Sequence, residues 1–226
     1  MSKNVVNKID KLVSVKHALI SVSDKTGLEE FIPQLIDICP EITICSTGGT
    51  YNTIKKILGE RAFGVLTQVS DYTGQPELQG GLVKTLDFKI YLGLLSETYN
   101  EAHIKDMKRT EADSIDLVIA NLYPFKETIA KPDVTPELAR GNIDIGGPCM
   151  IRAAAKNFIR VASVVDPSDY PSLLAELKKN DGKLSLQKRF ELAQKAFKHT
   201  SEYDQTISGY LGTKKFEEVS SCYQII

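Results

Sequence analysis

Short apolar segments typical of buried strands alternate along this chain with segments of helical periodicity. The strand-like segments are 17–22, 42–45, 62–66, 90–95, 115–122 and 161–165. The helical segments are 28–39, 50–58, 97–109, 148–158, 171–179 and 186–203. Strands that lead into helices in this way predict a mostly parallel sheet with helices on both faces, which is a three-layer α/β fold.

Composition limits the possible partners of such a domain. The 226 residues are 42% hydrophobic, enough for one buried core, and the net charge is -1, so no overall basic field attracts nucleic acid. The four cysteines form no C-x-x-C pair, which favours a reducing compartment. No apolar run is long enough for a signal peptide or a membrane span. We therefore expect a cytoplasmic protein with neither a membrane nor a nucleic acid as partner.

Two small, hydroxyl-rich loops follow the first two predicted strands, and each opens a helix. The carboxyl ends of parallel strands meet at one edge of a sheet, where free backbone N–H groups and helix dipoles favour anions. The loops could instead only cap helices and turn the chain. Neither loop matches a nucleoside triphosphate or dinucleotide fingerprint. Together they predict an anion site formed by Ser21, Ser23, Lys25, Thr26, Thr47, Gly48, Gly49 and Thr50.

Three later segments carry groups suited to acid–base chemistry: 121–125, 143–147 and 152–157. They supply the phenol of Tyr123, the carboxylate of Asp144, flexible backbone amides and the ammonium group of Lys156. Such groups move protons and stabilise a developing negative charge, and the sequence offers no obvious metal site. Each residue also has a plainer interpretation: a helix cap for Asp144, a packed ring for Tyr123, and solvated surface lysines for Lys84 and Lys156.

Five motifs in order resemble the inosine-monophosphate cyclohydrolase domain family of bifunctional purine-biosynthesis proteins. They are Ser21-Val22-Ser23-Asp24-Lys25-Thr26-Gly27, Gly80-Gly81-Leu82-Val83-Lys84-Thr85-Leu86, Asn121-Leu122-Tyr123-Pro124-Phe125, Ile143-Asp144-Ile145-Gly146-Gly147 and Arg152-Ala153-Ala154-Ala155-Lys156-Asn157. The segment 196–204 is similar to the helix that closes that domain. The resemblance covers 16–211, between an N-terminal extension, 1–15, and a C-terminal tail, 212–226.

The resemblance implies a methylglyoxal-synthase-like fold, a homodimer and no cofactor. It also implies the last step of inosinate synthesis, the dehydrative ring closure of a formylated aminoimidazole carboxamide ribotide. A formyltransferase domain follows in the bifunctional family, so a separate formyltransferase protein is a possible partner. By resemblance Asp144 is the base, Lys84 and Lys156 stabilise charge and deliver protons, and Tyr123 relays a proton. The remaining implied substrate contacts are Thr85, Asn121, Ile145, Gly146 and Gly147.

The second motif departs from the family pattern, which usually reads Gly-Gly-Arg-Val-Lys-Thr-Leu-His-Pro. The arginine is replaced by Leu82 and the His-Pro pair by Asp87 and Phe88. These changes remove a rigid fork of donors beside Lys84. Two alternatives to the cyclohydrolase therefore stay open: a methylglyoxal-synthase-like lyase acting on a small phosphorylated ketone, and a regulatory purine-nucleotide-binding module without catalysis.

Overall fold

A computed structural model describes residues 5–76 and 84–226 of the chain. Five strands in this part form a parallel sheet in the order β4 (Leu66–Gln68), β3 (Thr43–Ser46), β2 (His17–Val22), β5 (Leu117–Asn121) and β6 (Ala162–Val164). Two further strands, β1 (Leu12–Ser14) and β7 (Lys183–Ser185), pair antiparallel. The α/β fold class predicted from the sequence is confirmed.

Helices cover both faces of the sheet, because the strands present apolar side chains on both faces. Ala18 and Ile20 of β2 face one core cluster, and Leu19 between them faces the other. The first cluster lies under α1 (Leu28–Ile38), α2 (Gly48–Leu58) and α9 (Tyr170–Lys179). The second lies under α4 (Phe88–Leu95), α8 (Gly146–Lys156) and α10 (Leu186–Gly212). The other α-helices of the described residues are α3 (Val69–Thr73), α5 (Glu101–Thr110), α6 (Phe125–Ile129), α7 (Pro136–Gly141) and α11 (Phe216–Ser220).

The prediction of a strand at 90–95 is wrong, because this segment is part of α4. Asp87 caps this helix, since its carboxylate accepts a hydrogen bond from the Lys89 N–H at 2.7 Å. Ile90, Gly93 and Leu94 are the buried positions, at the three-to-four spacing of one helix face. A short apolar run does not distinguish a buried strand from a buried helix. Phe88, which stands beside the capping residue, is exposed.

Both ends of the chain contain structure that the sequence patterns did not indicate. Strand β1 lies within the expected extension 1–15, and Val15 directly after it is buried. Helix α10 continues beyond the expected residue 203 to Gly212, and α11 forms within the expected tail. The hydroxyl of Tyr223 in this tail donates a hydrogen bond to the carboxylate of Glu137 on α7. No helix in the described part of the chain is both long and apolar enough to cross a membrane.

Candidate active site

A cavity of about 390 Å³ opens at the carboxyl edge of the parallel sheet. It brings together the loops after β2, β3 and β5 with Lys84 and the segment that enters α8. Fifteen predicted site residues line it: Ser21, Ser23, Lys25, Thr47, Gly48, Gly49, Thr50, Lys84, Thr85, Asn121, Tyr123, Asp144, Ile145, Gly146 and Gly147. The chain thus assembles one site from motifs more than a hundred residues apart.

Side-chain hydrogen bonds fix the two predicted anion loops to each other. The hydroxyl groups of Ser21 and Thr47 lie 2.8 Å apart. The hydroxyl of Thr50, which is buried, accepts from the Val22 N–H and donates to the Val22 carbonyl, both at 3.0 Å. These contacts join the end of β2 to the first turn of α2, so the cradle is a preformed structure.

Asn121 holds the first loop from the end of β5. Its side-chain oxygen accepts from the N–H groups of Ser23 at 2.7 Å and Asp24 at 2.8 Å, and its amide nitrogen donates to the Asp24 carbonyl. These bonds occupy both ends of the Asn121 amide. Asn121 therefore shapes the loop that lines the cavity, and this is the role that its geometry supports.

The amino end of α2 faces the cavity with two glycines. Gly48 has a φ of 39°, in the left-handed region, and an added β-carbon there would lie 3.1 Å from Nζ of Lys84. The N–H groups of Thr50 and Tyr51 both bond the Thr47 carbonyl, and no described residue accepts from the N–H of Gly48 or Gly49. A helix amino end with free N–H groups beside an ammonium group favours an anion.

The carboxylate of Asp144 is held at the entrance of α8 by backbone donors. Oδ1 accepts from the Gly147 N–H at 2.9 Å, and Oδ2 accepts from the Tyr123 N–H at 3.4 Å. A β-carbon on Gly147 would lie 2.8 Å from Oδ2 of Asp144 and 2.6 Å from Leu122, so only glycine permits this approach. Each carboxylate oxygen keeps lone-pair capacity for a ligand.

Residues at the start of α8 and beside it complete the part of the cavity around Asp144. A β-carbon on Gly146 would lie 2.9 Å from Oγ1 of the buried Thr85. Among residues 5–76 and 84–226, no acceptor bonds the N–H of Ile145 or Gly146. Tyr123 and Ile145 line the cavity and are 57% and 58% exposed, enough to meet a ligand. The arrangement offers a carboxylate, an ammonium group and amide donors that no described residue occupies within one space.

Two predicted site residues do not line the cavity. The hydroxyl and N–H of Thr26 both bond Oδ1 of Asp24, at 2.6 and 2.9 Å, and these bonds lower the pKa of Asp24. Thr26 thus organises its own turn. Lys156 is exposed in the last turn of α8, the opposite end of that helix from Asp144, so one chain does not bring its ammonium group to Lys84. A helix of 11 residues is roughly 16 Å long, too far for a side chain to span.

Part of the second predicted motif, including Gly80, Gly81, Leu82 and Val83, lies outside the described residues.

Sequence reasoning missed several residues at the site. Val22, Leu86, Gly141, Ile143 and Met150 line the cavity. The hydroxyl of Tyr203 on α10 accepts a hydrogen bond from the Asp144 N–H at 2.8 Å, and burial raises the pKa of this phenol. Tyr203 belongs to the segment 196–204, whose similarity to a closing helix was the one available signal.

Other cavities are larger but lack this combination. One of about 790 Å³ lies at the amino edge of the sheet, near His17 and Asp116. Ligands of parallel sheets bind at the carboxyl edge, so the 390 Å³ cavity is a stronger candidate than this one. A cavity of about 640 Å³ also lies at the carboxyl edge, near Asn121 and Asp166, but Gly48, Gly49, Lys84 and Asp144 do not line it. Among the residues that the structure describes, no group of three or more His, Cys, Asp or Glu side chains is placed to hold a metal ion.

Comparisons with known proteins identify the family. The family model of the MGS-like domain matches residues 27–149. The chain belongs to the MGS-like domain family. A second model, described as the AICARFT/IMPCHase bienzyme, matches residues 154–225, and the family resemblance predicted from the motifs is confirmed.

The relatives of this MGS-like chain include longer enzymes. It is 51% identical over 203 residues to the bifunctional purine biosynthesis protein PurH of Bacillus thuringiensis strain Al Hakam, and 50% identical to that of Bacillus cereus strain B4264. These matches cover 90% of this chain but 38% of each relative, so the chain spans less than half of their length. The solved structure of ForH superposes with a TM-score of 0.75 at 32% identity, covering 87% of this chain and 97% of that one.

Proposed function

We propose that the chain is an inosine-monophosphate cyclohydrolase, which closes the ring of 5-formamidoimidazole-4-carboxamide ribotide with loss of water. One observation carries this proposal: a single cavity joins an anion cradle at Gly48 and Gly49 to the acid–base set Lys84, Tyr123 and Asp144. The similarity to PurH proteins, named for purine biosynthesis, supports the same assignment.

The chemistry requires little beyond orientation and proton handling. Carboxamide nitrogen and formyl carbon belong to the same substrate molecule, so the enzyme selects the rotamer in which they meet. The nitrogen loses one proton as its bond to the formyl carbon forms, giving a carbinolamine oxygen with negative charge. That oxygen gains a proton, the C–O bond breaks, and the former formamide nitrogen releases its proton as the C=N bond forms. The net loss is one water molecule.

Asp144 is the base for the first proton in this proposal. Its carboxylate is fixed by the N–H groups of Gly147 and Tyr123 and faces the cavity. The free N–H groups of Ile145 and Gly146, with the Lys84 ammonium, suit the developing oxyanion. The Tyr123 hydroxyl suits proton return to the departing oxygen. Groups of this kind contribute on the order of 10²- to 10⁴-fold in rate.

The cradle suits the 5′-phosphate of the ribotide. The amino end of α2 offers the N–H groups of Gly48 and Gly49, with hydroxyls from Ser21 and Thr47 beside them. Lys84 Nζ lies 3.1 Å from the position of a β-carbon on Gly48 and adds positive charge beside the cradle. The exposed faces of Tyr123 and Ile145 can contact the heterocycle.

Further properties implied by the family remain part of the proposal. They are a homodimer, operation without a cofactor and a cytoplasmic location. Lys156 also keeps its proposed catalytic role, although it lies outside the cavity of one chain. Its contribution is tested by the rate of a Lys156→Ala variant.

A spectrophotometric assay of ring closure tests the function. Purified protein should convert the formylated ribotide to inosinate without added metal or nucleotide, and Lys84→Ala and Asp144→Asn should be slower by at least about 100-fold. Tight inosinate binding without turnover would favour the regulatory module instead. Turnover of a small phosphorylated ketone, with none of the ribotide, would favour the lyase.

A further inference from the structure

Tyr203 supports the candidate base from a helix that does not line the cavity. Its hydroxyl oxygen accepts a hydrogen bond from the backbone N–H of Asp144 at 2.8 Å. Asp144 stands between α7 and α8 in a connecting segment, 142–145. The bond from Tyr203 ties this segment to α10, in addition to the carboxylate contacts with Gly147 and Tyr123.

The phenol itself is firmly placed. Tyr203 lies in the 27-residue helix α10, and its ring packs edge-on against Phe125 with centroids 6.3 Å apart. Phe125 is 1% exposed and follows Tyr123 and Pro124, so the same aromatic contact supports the Tyr123 segment. Burial raises the pKa of Tyr203, so the phenol stays protonated and neutral at physiological pH and its oxygen can accept without added charge.

Tyr210 has the same aromatic contact as Tyr203 but lacks the hydrogen bond to Asp144. It lies two turns further along α10 and packs edge-on against the same Phe125, at 5.8 Å. Its hydroxyl is buried and bonds no described residue. The two tyrosines therefore share helix, ring contact and chemical type, and they differ in the hydrogen bond to Asp144.

We infer that Tyr203 is a positioning residue, which holds Asp144 in the geometry required to remove the carboxamide proton. This inference rests on the proposed cyclohydrolase function. Loss of the hydroxyl leaves the Asp144 N–H without its acceptor and lets the segment 142–145 shift. Displacement of a catalytic group by about 1 Å costs up to roughly 100-fold in rate, while ground-state binding by the cradle is unaffected.

The test compares Tyr203→Phe with Tyr210→Phe in the full chain. We expect Tyr203→Phe to lower kcat about 10- to 100-fold with KM changed less than about threefold, and Tyr210→Phe to keep both near wild type. Amide hydrogen exchange gives a second measurement. The Asp144 amide should exchange faster in Tyr203→Phe than in the wild-type chain, and at the wild-type rate in Tyr210→Phe.

The outcomes distinguish a failure of the positioning role from a failure of the proposed function. If the wild-type chain closes the ring and Tyr203→Phe does so equally fast, the positioning role is wrong and the function stands. Equal loss of kcat in both variants, or unchanged exchange at Asp144, also overturns the positioning role. If the wild-type chain does not turn over the ribotide, the proposed function and this inference both fail.

Discussion

The Lys84 ammonium group lies directly over Gly48: its Nζ atom is 3.1 Å from the position that a β-carbon on Gly48 would occupy. Gly48 also has a φ of 39°, a conformation that L-residues with a β-carbon rarely adopt. The next residue differs, because a β-carbon on Gly49 would meet only Cε of Lys25 at 4.0 Å, an ordinary contact. The two glycines form a matched pair for testing the cradle.

We predict that Gly48→Ala weakens inosinate binding by roughly tenfold or more, equivalent to about 1.4 kcal/mol. The methyl group displaces Lys84 and strains the backbone that presents the amide donors. Gly49→Ala is the control and should bind within about threefold of wild type. Calorimetric titration with inosinate measures both. Equal affinities for the two variants would contradict the proposed cradle.

Segments whose sequence pattern fits a single type of secondary structure were predicted well. Strand β2 alternates its buried residues between two cores, and the glycine loop after β3 opens α2, as a parallel α/β sheet requires. The segment 90–95 was mistaken because its apolar run fits either a strand or a helix, and the cap at Asp87 was not recognised as the deciding signal.

The site was predictable where its residues belong to recognisable motifs, and less so elsewhere. Asp144 and Tyr123 were placed by motif, and they meet in the cavity. Tyr203 lies 59 positions from Asp144, and nothing local marks a hydroxyl that bonds a distant backbone N–H. Lys156 was grouped with Asp144 through its motif, although a helix separates them.

A substitution at Asp144 can remove the negative charge while keeping the size of the side chain. We predict that Asp144→Asn lowers kcat by about 10²- to 10⁴-fold, because the amide keeps the size of the side chain and removes the base. Inosinate affinity should stay within a few-fold, since the cradle residues are untouched. Steady-state kinetics and ligand titration measure these two quantities. A variant that retains wild-type kcat would exclude Asp144 as the base.

The guanidinium of Arg189 is buried, and its hydrogen-bond partners among the described residues are all backbone carbonyls. Its donors reach the carbonyls of Asp10, Phe158, Ile159 and Leu184, which joins the N-terminal segment to the loop after α8. Burial also lowers the pKa of this arginine. Removing the side-chain donors takes the partner from the buried carbonyl of Leu184 and from three partly buried carbonyls, and a fully buried unpaired group costs about 1–3 kcal/mol.

We therefore predict that Arg189→Met lowers the free energy of unfolding by at least about 3 kcal/mol. Arg152→Met is the control, because that guanidinium lies over the half-exposed Phe197 ring, 5.5 Å from its centroid, and should cost about 1 kcal/mol or less. Urea denaturation gives both values. Similar losses in the two variants would show that the buried contacts contribute little.

Low pH should destabilise the segment that follows β6, because it protonates Asp166. Its hydrogen bond with Lys195, with Nζ and Oδ2 2.7 Å apart, and the bonds from Ser168 lower its pKa to about 2. Because the folded-state pKa lies below the unfolded value, this contribution to stability is complete above about pH 4 and is lost as the pH falls toward 2. Partial exposure keeps the effect modest.

Accordingly, Asp166→Asn should lower Tm at pH 7 and have a smaller Tm difference between pH 7 and pH 3 than the wild-type chain. The exposed Asp133, for which the described residues show no ion pair, provides the control Asp133→Asn. Thermal melts followed by circular dichroism measure each difference. A pH dependence in Asp166→Asn equal to that of wild type would contradict the assigned role of the carboxylate.

A crystal structure of the chain with bound inosinate tests most directly whether one cavity serves both phosphate and base. We predict that the 5′-phosphate accepts hydrogen bonds from the Gly48 and Gly49 amides, with the purine between Lys84 and Asp144. A complex with the phosphate away from α2, or with the purine ring out of reach of Asp144, would contradict the assignment.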